Sequence, residues 1–353
     1  MSIKTVLQKK FENLFVSIVV NDAEYVLRCK VLKKGAVLKT FTKTFPLTLP
    51  LEALDQALES YLMHLQDEYR FVYIAYLLDA LGQGAVEGVD KKSLQRHNID
   101  TEITYCLPVR NQWTAYAASM EIKSVKNLFS EVGVDFIVSP FIVLSDFVSS
   151  QKPKNKPTCY LLNGHNFFIM AVFNETRLHF GAFFKTQNES SFTRSNDLND
   201  WENEQKEEEI VGAGELPELA HGETEQEELD ELGELSDLDT IDDLRSGDTF
   251  SDVDDKTLGF FKGLNEIKEE DVSLELYGRD LTVYKYLKSS LEEYYHNPLY
   301  PSEFIEEIII FDGYEVSSDL IHQIEDELMM DVELHKVDIG EKVCDLAVRE
   351  VFQ

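Results

Sequence analysis

Paired cysteines, basic charge and long apolar runs are what this chain lacks, and each absence narrows the class of protein. The four cysteines, Cys29, Cys106, Cys159 and Cys344, lie far apart and form no CxxC pair. They argue against a disulfide framework and read as reduced, mostly buried thiols in a reducing compartment. Lys and Arg number 33 against 66 Asp and Glu, a formal net charge of −33. With no basic stripe to neutralise phosphates, no nucleic-acid partner is expected. The run Leu14–Val20 is short, contains Ser17 and leads into Asn21-Asp22 without a small-residue cleavage site, so it reads as a strand and not a signal peptide. Phe136–Val148 and Phe167–Phe173 are too short to span a bilayer or are broken by Pro140 and Asp146. A cytoplasmic protein without a membrane span of its own is the expectation.

Motifs that carry chemistry are equally scarce. There is no GxxxxGK[ST] loop, no GxSxG elbow, and no HExxH or Cys/His cluster among the scattered histidines. Gly82-x-Gly84-x-x-x-Gly88 follows an apolar run as a dinucleotide loop would, but polar and basic Val89–Ile99 after it offers no apolar helical face. A surface turn is the better reading. Asp237-x-Asp239 is followed by Ile241 where a calcium loop needs its next oxygen ligand, so it reads as solvated charge. No catalytic residue and no metal ligand is singled out by this census.

What is present in excess is acid, in one place. Residues 197–271 hold about 28 Asp and Glu against about 5 Lys and Arg, roughly −23 of the formal −33. Within this stretch Leu229, Leu232, Leu235, Leu238, Ile241 and Leu244 recur every third residue, a spacing that wanders around a helix instead of forming a stripe. The tract reads as a disordered insertion, either a spacer or a tether for a basic partner that orders on contact.

The flanks read as an ordinary α/β protein with mixed sheets. Leu14–Val20, Tyr25–Leu32 and Val37–Phe45 form an antiparallel meander with turns at Asn21-Asp22 and Lys34-Gly35. Pro50 opens a helix with Leu54, Leu58, Tyr61, Leu62 and Leu65 at helical spacing, followed by a buried strand over Arg70–Leu78 and, later, a polar connection from Lys91 to Asp100. Glu102–Pro108 and Trp113–Met120 are strands, Glu121–Val132 a helix, Asp135–Ser139 a strand and Pro140–Val148 a helix. Thr158–Leu162, Phe167–Phe173 and Arg177–Lys185 are strands. Beyond the insertion, Asp280 is placed to cap a helix through Tyr295, Ile305–Phe311 is a strand, and Ser317 or Ser318 caps a helix to Met329. Val332–Val337 and Gly340–Val351 close the chain as strand and helix.

The order of these elements resembles the PilM, GspL and FtsA proteins of the actin-like superfamily. Trp113–Ser150 is similar to their small inserted subdomain, Thr158–Lys185 to the hairpin of the second phosphate loop, and EEIIIFDGYEVSSDLIHQIEDEL within Tyr286–Leu334 to the adenosine-binding strand, turn and helix. The resemblance implies an actin-like (ribonuclease H-like), two-lobed α/β fold. Residues 1–80 would begin the first lobe, 81–150 form the small subdomain, 151–190 the second-lobe hairpin, 191–272 the acidic disordered insertion, and 273–353 complete the second lobe. It further implies nucleotide-site positions at Asn21, Asp22, Asn163, Gly164, Asp312 and Gly313. There the sequence departs from the family: Val19-Val20-Asn21 and Leu162-Asn163-Gly164 stand in place of two Asp-x-Gly motifs, and Asp312-Gly313 in place of Gly-Gly. A shift of register would bring Asp22 into the first loop. A phosphate site without those aspartates suits neither Mg nor ATP, so no cofactor is expected unless the divergent site works.

What the resemblance implies about function is a non-catalytic adaptor or scaffold of a type IV pilus, type II secretion system or related envelope machine. It would bind the short cytoplasmic segment of a PilN-like inner-membrane partner and so lie peripheral to that membrane. The alternatives are a working actin-like ATPase with a divergent site and an FtsA-like filament former.

Overall fold

The computed structural model describes residues 11–21, 23–47, 53–152, 154–186 and 267–352. The chain divides into two units, residues 1–188 with 272–353 and residues 189–271. Residues 191–266 of the acidic insertion, its leucine repeat and Asp22 lie outside the described residues, whereas residues 267–272, expected within the insertion, are helical.

Three strands open the chain: β1 (Asn13–Val20), β2 (Glu24–Lys33) and β3 (Ala36–Pro46). Helix α1 (Gln56–Glu68) and strand β4 (Phe71–Leu77) follow. Together with β8 (Phe136–Val138) the strands make one sheet in the order β3-β2-β1-β4-β8, antiparallel among the first three and parallel beyond. After α4 (Pro140–Ser150) the pattern repeats. Strands β9 (Thr158–Asn163), β10 (Phe167–Asn174) and β11 (Arg177–Lys185), helix α5 (Ile267–His296), β12 (Glu307–Asp312), α6 (Ser318–Leu328) and β13 (Asp331–Lys336) give a second sheet, β11-β10-β9-β12-β13. Helix α7 (Ile339–Phe352) ends the chain.

The period-2 alternation of the central strands explains the layering. On β1, Leu14, Val16 and Ile18 face α1 with Leu58 and Leu62, whereas Phe15 and Val19 face the opposite way. On β9 and β12, Cys159, Leu161, Ile308 and Ile310 pack against α5 and α6, while Tyr160, Leu162, Ile309 and Phe311 point inward. Both sheets thus bury one face in a shared core with Phe141 and Leu144 of α4 and Val343 and Cys344 of α7. Ser17, fully buried on β1, is satisfied by donating its hydroxyl to Gly340 O at 2.6 Å.

A third sheet, β5-β7-β6, comprises β5 (Gln83–Glu87), β7 (Trp113–Ala118) and β6 (Thr104–Val109), accompanied by α2 (Lys91–Arg96) and α3 (Ser119–Leu128).

Four sequence expectations are corrected here. The glycine pattern after Leu81 is not only a surface turn: Gln83–Val86 are buried in β5. The polar connection from Lys91 contains α2, too short to show periodicity, whose first turn is capped by the Asp90 carboxylate accepting from Lys92 N at 2.9 Å and Ser93 N at 3.0 Å. Phe136–Val138, expected as a strand of the small subdomain, pairs instead with β4 at the edge of the first sheet, in parallel register with Ala75, Tyr76 and Leu77. Asp280 is not a helix cap. It lies inside α5, and its carboxylate accepts from Ser317 N at 3.2 Å, beside the N-terminus of α6.

Candidate functional site

Three turns meet where the two main sheets end: Asn21 after β1, Asn163-Gly164 at the end of β9, and Asp312-Gly313 at the end of β12. The parallel register of β9 and β12 sets Asp312 opposite Asn163. That pairing brings the Asn163 amide to Asp312 Oδ1 at 2.9 Å, while Gly313 N donates to Asn163 O at 2.8 Å. Asp312 also accepts from Tyr314 N and Val316 N, both at 3.3 Å, shaping the turn into α6. The Asn166 amide reaches Val20 O at 3.3 Å and ties the second turn to the first. The structure therefore brings together Asn21, Asn163, Gly164, Asp312 and Gly313. Asn21, Gly164 and Gly313 line the cleft, and Asn163 and Asp312 are buried.

The cleft is small and its polar groups are engaged with one another. Its volume is about 150 Å³, below the roughly 300–1,000 Å³ usual for small-molecule sites. Across it Arg28 Nε meets Asp338 Oδ2 at 2.7 Å, and Arg28 Nη1 donates to Thr42 Oγ1 at 2.8 Å. From α5, Arg279 Nη2 donates to Asn163 Oδ1 at 2.7 Å and to Gly164 O. Its guanidinium lies 4.4 Å over the Tyr314 ring, and His165 meets that ring's centroid at 4.5 Å. A Cβ on Gly313 would fall 2.5 Å from Ile339 Cδ1, and one on Gly164 2.5 Å from the Phe167 ring. These glycines therefore admit protein side chains to close contact.

Burial raises the Asp280 pKa above its ordinary value, only partly offset by hydrogen bonding at Ser317 and by the neighbouring Arg279. Among the described residues no group of three or more His, Cys, Asp or Glu is placed to share a cation. Sequence reasoning missed Arg28, Arg279 and Asp338. Arg279 stands between Gly278 and Asp280 in an acid-rich segment, and nothing in its spacing points to a partner 116 residues away.

A second concavity, about 530 Å³, lies beside the third sheet. It is lined by Tyr105 and Leu107 of β6, Ala115 and Ala117 of β7, Ile122 of α3, Phe136–Val138 of β8, Ile142 of α4, and Leu346 and Ala347 of α7, with Asp135 and Glu350 as its acidic members. β6 and β8 are edge strands of their sheets. Tyr105 and Leu107 remain 52% and 56% exposed, an unusual state for apolar side chains on neighbouring outward positions.

Two family models match. One, described as a domain of unknown function (DUF8341), covers residues 159–352, and another, a domain of unknown function (DUF8569), covers residues 11–145. No curated protein matches the sequence. Among solved structures, the PilM-PilN type IV pilus biogenesis complex is similar at TM-score 0.50 and 12% identity, covering 97% of this chain and 99% of that one. A Bacteroides thetaiotaomicron protein with an actin-like ATPase fold and unknown function follows at TM-score 0.42 and 10% identity, over 98% and 99% of the two chains. Ethanolamine utilization protein EutJ from Carboxydothermus hydrogenoformans matches at 0.40 and 8%, over 96% and 89%. The likeness to the PilM-PilN structure, with the duplicated strand order, shows an actin-like, PilM-like fold. No helix among the described residues is long and apolar enough to cross a membrane.

Proposed function

From a chain that belongs to the DUF8341 family, whose description names no activity, we propose a non-catalytic adaptor that holds an extended segment of a membrane protein in the groove beside the third sheet. The observation that carries this reading is the contrast between the two concavities. The groove is a mainly apolar concavity of about 530 Å³ between two strand edges, whereas the cleft is reduced to about 150 Å³ between its own ion pair and turns. An extended peptide suits such a groove, because strand edges supply main-chain hydrogen bonds and the apolar lining receives alternate side chains.

The fold shared with the PilM-PilN complex supports a PilN-like partner, the short cytoplasmic segment of an inner-membrane protein in a type IV pilus, secretion or related machine. The acidic tract supplies a polyanionic surface for a basic partner of the same assembly. Asn21, Asn163, Gly164, Asp312 and Gly313 then act as structural relics of a nucleotide site.

Recovery of membrane proteins on the immobilised chain, followed by binding of the recovered partner's cytoplasmic peptide, tests the reading. Leu107→Glu, at a half-exposed groove position, should weaken the peptide about tenfold while leaving the melting temperature in place. Recovery of no inner-membrane protein counts against the adaptor. Calorimetry with Mg-ATP should show no binding. Micromolar affinity abolished by Asn163→Ala would return the divergent ATPase to first place.

A further inference from the structure

The β2–β3 hairpin turns on Lys34 and Gly35, both left-handed at φ +54° and +82°. Two consecutive residues of that hand make the tight turn whose twist matches its flanking strands, so the tip is a closed hairpin and not a loop, with a bulge at Leu38 between the Val31–Lys39 and Leu32–Val37 pairs. Leu32 pairs with Val37 and Lys33 with Ala36 up to the turn itself. Residues 33–39, Lys-Lys-Gly-Ala-Val-Leu-Lys, contain three lysines and no acid in a chain of net charge −33.

Val37 and Leu38 on this tip are 54% and 55% exposed. Lys33 pairs with Glu12 at 3.1 Å, while Lys34 and Lys39 form no ion pair among the described residues. Asn13 stands opposite both Leu32 and Phe71, so Arg70, stacked 4.7 Å over Phe11, adds a cation at the same end of the sheet.

Lysines on an edge strand commonly guard against unwanted pairing. That accounts for Lys39 and Lys43 but not for two bare aliphatic side chains beside the turn. A second copy docking tip to tip would oppose lysine to lysine. A soluble acidic partner would satisfy the lysines and leave Val37 and Leu38 in water. An anionic bilayer satisfies both sets, with ammonium groups among the headgroups and the aliphatics at the acyl boundary.

We propose that the hairpin tip, Lys33–Lys39, docks on anionic phospholipid, with Val37 and Leu38 entering the interface and Lys33, Lys34 and Lys39 at the headgroups. The contact stands on the hairpin alone and does not depend on the groove. The bulk negative charge opposes long-range approach, but screening over about 8 Å at physiological salt leaves close contact to the local cations.

Co-sedimentation of the full chain with vesicles tests this, using phosphatidylcholine alone and a two-to-one mixture of phosphatidylcholine with phosphatidylglycerol. Retention is expected only on the anionic vesicles, falling as salt rises from about 0.15 M to about 0.5 M. The double variant Val37→Ser/Leu38→Ser, and separately Lys34→Glu/Lys39→Glu, should each weaken retention by about tenfold or more. All these positions are exposed, and unchanged melting would show that the variants fold. Leu107→Glu should bind vesicles like the parent, which separates this contact from the groove. Absence of retention on anionic vesicles overturns the proposal, as does retention indifferent to both double variants. Capture of the chain by soluble polyglutamate, as tight as vesicle binding and indifferent to Val37 and Leu38, would also overturn it in favour of an acidic protein partner.

Discussion

Arg279 joins α5 to the turn after β9 through Asn163 Oδ1 and Gly164 O, and charge-assisted hydrogen bonds of this kind are each worth more than neutral ones. Arg279→Gln should therefore cost about 1.5–3 kcal/mol, read from urea unfolding with the slope unchanged. Gly313 makes the same point by volume. Gly313→Ala drives a methyl against Ile339, and overpacking of that size costs about 1–3 kcal/mol. Ile339→Ala removes both clashing atoms, Cδ1 at 2.5 Å and Cγ1 at 2.7 Å, so a double-mutant cycle should show positive rescue between the two positions. Asp280 bears on pH. Its folded pKa is raised by burial from 3.8, so the native state holds this proton more tightly than the unfolded chain does. The contribution is fully present below the unfolded value and is lost as pH rises through the folded one. Asp280→Asn keeps an acceptor for Ser317 N and should flatten that decline in a stability–pH series measured from pH 3.8 upward.

Among the elements, the meander β1–β3 and the strands β9–β11 were legible because alternation and turn residues are local signals. The sequence offered Ser317 or Ser318 as the cap of α6, and it is the Ser317 hydroxyl that accepts from Leu320 N at 3.1 Å. Ser317→Ala should cost about 1 kcal/mol and speed amide exchange in the first turn of α6. What escaped the sequence was set by distant neighbours. The six residues of α2 are too few to show a period, and β8, legible as a strand, shows its place in the first sheet only through its pairing with β4. Asp280 looks like a cap, yet its helix begins earlier, at Ile267, and its carboxylate serves the start of another helix. In the cleft, the turns bearing Asn21, Asn163, Gly164, Asp312 and Gly313 could be placed by order of elements. The Arg28–Asp338 pair that crosses it joins residues 310 apart and carries no local mark.

At the scale of the whole molecule, net charge and folded core are separable. Deleting Glu207–Asp255 removes about 19 net negative charges by count and touches none of the residues in the three main cores. The shortened chain should melt cooperatively within a few degrees of the parent by calorimetry, while capture of basic proteins is lost. The first and last elements, by contrast, are inseparable. Ser17 on β1 donates to Gly340 O, and Cys344 Sγ approaches Phe15 O at 3.7 Å, across 323 and 329 residues. A ribosome adding about 5–20 residues per second needs roughly half a minute between those two ends. Throughout that interval one apolar face of the first sheet waits for α7, so the N-terminal half stays incomplete until that helix has been made.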